Sequence, residues 1–367
     1  MQIFSLIILL FYIILIFRYR FGWNKIKRIR TTDFTPKVSI IIAMRNEENE
    51  IERLLKSLQS QIYPTNKLEF ILVNDHSTDN TLKLLEQSEL DNLQIIDLLD
   101  GEYGKKNAIK KAVEFANGEI ILVSDADCSF IPYWAQTMVN YFADEKMKLI
   151  SGPVAFYKQK GIFQSLQTLE FISLIGSGAG AIGSGNAIFC NGANMAYRKD
   201  VFLEANNFES DDISSGDDVF FLHSVKSKYP DSIAFAKDEN AIVTTNSAKT
   251  ISDLINQRKR WTAKSSHYKD LTSVYTSYLV LFVNLAIVFL FIMSFLSKED
   301  LRFFILFYFA KFIADLFLLY PVLRFLKRKD LIKLIFPFEL FYAFYIVLIV
   351  VLSFTNKFDR KDRTHSR

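Results

Sequence analysis

Two carboxylates, Asp125 and Asp127, stand one residue apart where the aliphatic run of "GEIILVSDADCSF" stops. A run of that kind reads as a buried strand, so the acids are expected at a strand end. In D-x-D spacing they make a hard-oxygen site suited to Mg2+ or Mn2+, held only partly by protein and completed by phosphate oxygens. No G-x-x-x-x-G-K or G-x-G-x-x-G loop follows the first apolar strand, which excludes a P-loop or Rossmann site. A nucleotide diphosphate held through a metal is the better reading, with solvated turn acids as the alternative. Asp217-Asp218 ahead of "VFFLHSV" has the form of a helix N-cap pair. Arg260-Trp261, in "QRKRW" just before a long apolar stretch, has the form of a basic and aromatic membrane-interface anchor. His76 reads as a turn residue without a chemical role.

The elements that must position these residues form an α/β pattern between about residues 33 and 270. "KVSIIIAM" is a strand ending at Arg45-Asn46-Glu47, followed by a helix with Ile51, Leu54, Leu55 and Leu58 on one face. "LEFILVND" ends at Asp75, and Ser77-Thr78-Asp79 opens the helix of "NTLKLLEQ". "LQIIDLL", the helix of "KKNAIKKAVEFA" and "EIILVS" complete the alternation, which argues for a mostly parallel sheet. Ligands of such sheets bind beyond the carboxyl ends of the strands, where Arg45, Asp75 and Asp125 fall.

The chain has 367 residues, is 50% hydrophobic and carries a net charge of +4. Its 35 phenylalanines against 13 glycines and 7 prolines indicate membrane helices joined to a globular domain. Nothing in the charge pattern indicates a nucleic-acid partner. Cys128 and Cys190 form no C-x-x-C pair and read as buried thiols. Residues 1–20 contain an apolar anchor (Ile3 to Phe17) followed by Arg18, Arg20, Lys25, Lys27, Arg28 and Arg30. The basic cluster predicts a cytoplasmic catalytic domain in an inner or plasma membrane. Residues 271–356 hold three further apolar stretches, and 357–367 a basic tail. Three full spans would put that tail outside, against the positive-inside rule. The expectation is therefore two to three C-terminal transmembrane helices, with the Pro337 stretch as the suspect. Lys311 and Asp315, four apart within one stretch, are expected to pair. The segment "GIFQSLQTLEFISLIGSGAGAIGSGNAIFCNGANMAY" reads either as a buried core helix and a flexible loop or as an amphipathic helix resting on the membrane.

The ordered set "VSIIIAMRNEENEIERLLKSLQSQIYP", "FILVNDHSTDNT", "GKKNAIKKAVEFANGEIILVSDAD", "NGANMAYRKDVF", "SGDDVFFLHSV" and "QRKRW" resembles membrane-bound family 2 glycosyltransferases of the GT-A fold. The resemblance implies inverting sugar transfer from a UDP- or GDP-type donor to a hydroxyl or phosphate acceptor at the membrane, a lipid or short glycan. Its alternatives are a processive polysaccharide synthase that extends and secretes a glycan, and an inactive receptor or scaffold. It assigns Asp75 to the base and ribose of the donor, and Arg45, Asn46 and Glu47 to the loop beside them. Lys105 falls near the uracil or phosphates, Asp125 and Asp127 at the metal, and Asp218 at the catalytic base, with Asp211 and Asp212 as neighbouring acids. Gln257, Arg260 and Trp261 match the Q-x-x-R-W motif that lines the acceptor side and reaches the diphosphate. Thr262-Ala263-Lys264 stands where many relatives have a glycine, and Arg360 stands in place of a tail tryptophan.

Overall fold

The computed structural model describes residues 2–29, 32–205, 217–265, 267–353, 357–360 and 363–366, without the side chains of 217, 264 and 357–366. An N-terminal helix, α1 (Gln2–Lys25), precedes the α/β domain. The domain runs β1 (Val38–Met44), α2 (Ile51–Gln59), β2 (Leu68–Asn74), α3 (Thr81–Glu86), β3 (Leu93–Asp97), α4 (Gly104–Phe115) and β4 (Ile120–Asp125). It continues through α5 (Trp134–Val139), β5 (Leu149–Ser151), β6 (Val154–Phe156), α6 (Ile162–Gly183), β7 (Asn194–Arg198) and α7 (Lys199–Glu204). It closes with α8 (Asp217–Lys228), β8 (Ile233–Phe235), β9 (Val243–Thr245) and α9 (Ile251–Ser265). Helices α10 (Leu271–Met293), α11 (Lys298–Phe325) and α12 (Ile332–Ser353) follow, then a strand pair, β10 (Lys357–Arg360) and β11 (Arg363–Ser366).

The central sheet has the order β3-β2-β1-β4-β7-β5-β8. Its first four strands are parallel, β7 runs antiparallel to both β4 and β5, and β8 is parallel to β5. Strands β1, β2 and β4 are sealed on both faces, with Ile40, Ile41, Ile42, Ile71, Leu72, Ile121 and Leu122 wholly buried. That is why they read as continuous apolar runs and not as alternating ones. Helix α2 turns Ile51, Leu54 and Leu58 inward, the spacing expected of its sequence.

Four helices are long and apolar enough to cross a membrane: Gln2–Lys25, Leu271–Met293, Lys298–Phe325 and Lys329–Ser353. The first of these helices runs on past residue 20 to Lys25, and the C-terminal stretches are three helices. Pro337 lies inside α12, which runs on to Ser353. These helices pack on one another through Tyr12, Leu15, Val283, Ile287, Phe307 and Ala343 and leave Phe11, Leu306 and Phe341 exposed. Exposed apolar side chains on hydrophobic helices fit a membrane-facing surface.

Helix α6 bears out the buried-helix reading of its segment and corrects the loop and amphipathic readings. "SGAGAIG" continues the helix and is no flexible loop, and α6 is buried on most sides, not amphipathic. Its glycines let α1 approach backbone to backbone. A Cβ at Gly22 would stand 2.0 Å from the Gly180 carbonyl oxygen, and one at Gly183 would stand 2.2 Å from that of Gly22. Small residues serve helix packing in this way where apolar burial cannot drive it.

Candidate active site

Strand register gathers the acids. Ala43 pairs with Asp125 across β1 and β4, and Met44 pairs with Asn74 across β1 and β2. The residues leaving the three strands therefore share one sheet edge. Arg45 donates to the Asp75 carbonyl at 3.1 Å. The buried Asp75 carboxylate accepts from the Gly104 N–H at 3.1 Å. Gly104 opens α4 at φ +90°, a conformation that a side chain would strain. Asn46, itself at φ 51°, accepts from the Thr78 N–H at 2.8 Å, so its carboxamide oxygen ties the two strand-end loops together. Glu47 is fixed there through its own N–H, which donates to Thr81 Oγ1 at 2.8 Å.

Asp125 and Asp127 are both partly exposed, while Ala126 and Cys128 between and after them are buried. The alternation aims both carboxylates into the crevice. Lys105, one residue into α4, ion-pairs with Asp125 and reaches the Gly192 carbonyl at 3.3 Å. Asp127 accepts from Thr245 Oγ1 at 3.0 Å, and its carbonyl accepts from Arg53 at 3.2 Å. Among the described residues no group of three or more His, Cys, Asp or Glu forms a metal cage. Two adjacent carboxylates facing a crevice beside a cation fit a divalent ion that takes its remaining oxygens from a ligand. Burial, then the charges of Asp127 and Asp125, push the Cys128 thiol well up, so it stays protonated and inert.

Asp218 lies in the first turn of α8, as its sequence context predicts. Its carboxylate accepts from the Gly192 N–H and from the Val219 N–H, both at 2.9 Å. Gly192 therefore joins the two halves of the site: its carbonyl meets Lys105, and its N–H meets Asp218. It arrives there because β7 runs antiparallel to β4, with Ser124 opposite Asn194. Asp211 and Asp212 lie outside the described residues.

Asp218 and Trp261 line one cavity of about 390 Å3 that continues between the hydrophobic helices to Lys311 and Glu339. Tyr268, also on its wall, has its phenol pushed up by burial and then by the Asp218 charge. In the Q-x-x-R-W segment, Gln257 accepts from Arg258, and Arg260 is half-buried. The buried arginine of this helix is Arg258, which the motif reading missed. It forms a two-pronged pair with Glu170 of α6, both bonds 2.9 Å, and lies 4.3 Å from the centre of the Trp261 ring. Leu254, Arg258 and Trp261 recur at helical spacing, and that was the available signal. Gly192, Thr245 and Arg53 were also missed. They act through backbone or through strands remote in sequence, where no local pattern marks them.

Residues 39–204 match the sequence model of the family described as Glycosyl transferase family 2. Glycosyltransferase AglE of Haloferax volcanii is 27% identical over 239 residues, 62% of this chain and 73% of that protein. Poly-beta-1,6-N-acetyl-D-glucosamine synthase of Staphylococcus aureus is 26% identical over 260 residues, 68% of this chain but only 58% of the synthase. Among solved structures, mannosyltransferase PcManGT from Pyrobaculum calidifontis, in complex with GDP-Man and Mn2+, superposes with a TM-score of 0.62 at 17% identity, covering 96% of each chain. That likeness defines a GT-A architecture with its flanking helices. Residues 39–204 thus form a family 2 glycosyltransferase domain, and the chain is a glycosyltransferase that uses nucleotide sugars.

Proposed function

We propose that the protein inverts the anomeric centre as it moves a sugar from a UDP- or GDP-linked donor to an acceptor held at the membrane, a lipid or short glycan. The observation that supports this reading is Gly192, whose carbonyl meets Lys105 and whose N–H meets Asp218, a residue that also lines the cavity between the helices. Asp75, Arg45, Asn46 and Glu47 hold the nucleoside end, and Lys105 balances charge at the diphosphate. Asp125 and Asp127 hold Mg2+ or Mn2+, which when bound supplies electrostatic stabilisation to the diphosphate. Asp218 accepts the proton of the acceptor hydroxyl on the face opposite the departing diphosphate. Trp261 offers a flat ring to the acceptor, and Arg260 adds positive charge on the leaving-group side. Gln257, bonded to Arg258, positions that helix. The catalytic domain faces the cytoplasm, because the basic residues that follow the apolar core of α1 are retained there.

The test is transfer from a panel of labelled nucleotide sugars to membranes, with the product partitioned between organic and aqueous phases. Asp218→Asn should keep donor binding and lose transfer by about 10²–10⁴, while Asp217→Asn loses less. Equal loss of donor binding in both variants, or full activity in excess chelator, sinks the assignment. A cysteine at Lys158 that reacts with an impermeant thiol reagent only from outside the cell reverses the orientation.

A second reading, chain extension, is favoured by the cavity itself, which continues from Asp218 into the helix bundle. The name of the S. aureus relative is in keeping with it.

A further inference from the structure

The loop between α6 and β7 brings Gly192 to its place, and its other end is held by groups that the transfer reaction does not touch. Nε2 of His223, in the middle of α8, lies 2.9 Å from the Ile188 carbonyl oxygen. Lys226, about one turn further along α8, donates to the Ala187 carbonyl at 3.0 Å and ion-pairs with Asp270 at 2.6 Å. Asp270 caps α10 and accepts from the Ser273 N–H at 2.8 Å. The Ser273 hydroxyl stands 3.0 Å from the Ile188 carbonyl, 3.0 Å from His223 Nε2 and 2.8 Å from the Asp270 carboxylate. The first turn of a hydrophobic helix and the middle of α8 thus close on the same two carbonyls.

This network fixes the tautomer of the ring. A carbonyl oxygen only accepts, so the Nε2 that faces Ile188 carries the proton. Burial, the largest influence, pushes the imidazole pKa down, and the ring is neutral near pH 7. Tyr268 packs edge to face against it with ring centres 5.3 Å apart.

Beyond Ile188 the loop returns to the first turn of the same helix. Cys190 Sγ donates to the Asp218 carbonyl at 3.3 Å, and the Gly192 N–H donates to the Asp218 carboxylate at 2.9 Å. Helix α8 therefore grips the loop at both ends, with His223 at one and Asp218 at the other. Releasing the Ile188 carbonyl would let the Gly192 N–H move against the carboxylate that it orients. A general base must stay within hydrogen-bond reach of the proton it takes. A misplacement of about 1 Å costs about 100-fold in rate.

We infer that His223 is a positioning residue for sugar transfer: its bond to Ile188 sets the loop whose Gly192 N–H orients Asp218, and Ser273 and Asp270 tie that support to α10. The inference rests on the reading of Asp218 as the base.

The test is transfer from the labelled nucleotide sugars by the full-length protein in membranes. The variants are Asp218→Asn, His223→Leu, His223→Gln, Ser273→Ala, and His223→Leu combined with Asp218→Asn. His223→Leu should lower kcat by about 10- to 100-fold and leave the donor KM unchanged. His223→Gln, whose amide N–H can replace the Nε2 donor, should recover most of that rate. Ser273→Ala should lower kcat by less, because His223 still holds the Ile188 carbonyl. In the Asp218→Asn background His223→Leu should cost nothing further, since groups that act as one unit are not additive. A support unrelated to the base would add its full loss there. The inference is overturned if His223→Leu keeps the parental kcat, if its loss appears in the donor KM instead, or if it adds in full to that of Asp218→Asn. Should His223→Leu not fold, Ser273→Ala alone and with Asp218→Asn carries the same comparison. Parental activity in Asp218→Asn condemns the base itself, whereas a dead Asp218→Asn beside a parental His223→Leu condemns this inference alone.

Discussion

Two lysine–carboxylate clusters in this molecule look alike in a list of ion pairs and differ in everything else. Lys105 and Asp125 face the crevice with 24% and 38% of their side chains exposed. Lys311, Asp315 and Glu339 keep 2%, 11% and 8%. An exposed pair is screened by water and exchanges partners at little cost. A buried one has no water to fall back on, so each member depends on the others. The first arrangement suits a place where charged ligands come and go. The second suits a fixed part of the helix packing.

The largest expected effect separates the two directly. Lys311→Met strands two acids inside the helix bundle and should lower stability by about 3–5 kcal/mol, read as a fall in melting temperature or loss of folded protein in detergent. Unchanged melting would show that the cluster is wet and break the contrast. Lys105→Met should leave stability within about 1 kcal/mol. It should nevertheless weaken nucleotide-sugar binding by about 10- to 100-fold, as loss of a charge-assisted contact does. If that variant unfolds while binding per folded molecule is intact, Lys105 is structural. The smallest effect sharpens the crevice side. Thr245→Val removes one donor to Asp127 and should raise the metal concentration needed for half-maximal activity by about threefold to tenfold. No change in that titration would remove Thr245 from the site.

The gathering of the crevice residues was legible because each follows a strand or opens a helix. A buried apolar run followed by Asp125-Ala126-Asp127 reports its own position, and parallel register then aligns it with Arg45 and Asp75. The α6 segment was misread because local glycine content carries two meanings. In a loop it signals freedom, and here it permits the contact between Gly22 and Gly180. Q-x-x-R-W drew attention to Arg260, while burial singled out Arg258, whose partner Glu170 lies 88 residues earlier.

By itself the sequence determined the α/β alternation, the apolar helices at both ends and the acids at the strand ends. Those properties follow from periodicity and from which residue types tolerate burial. Only the tertiary structure decided that Gly192 links Lys105 to Asp218, that α1, α10, α11 and α12 enclose a cavity below them, and that Glu339 joins Lys311 and Asp315. The physical reason is range. Strand and helix propensities act over a few residues, whereas these contacts join positions 26 to 303 residues apart whose chemistry shows only once packing has removed the water between them.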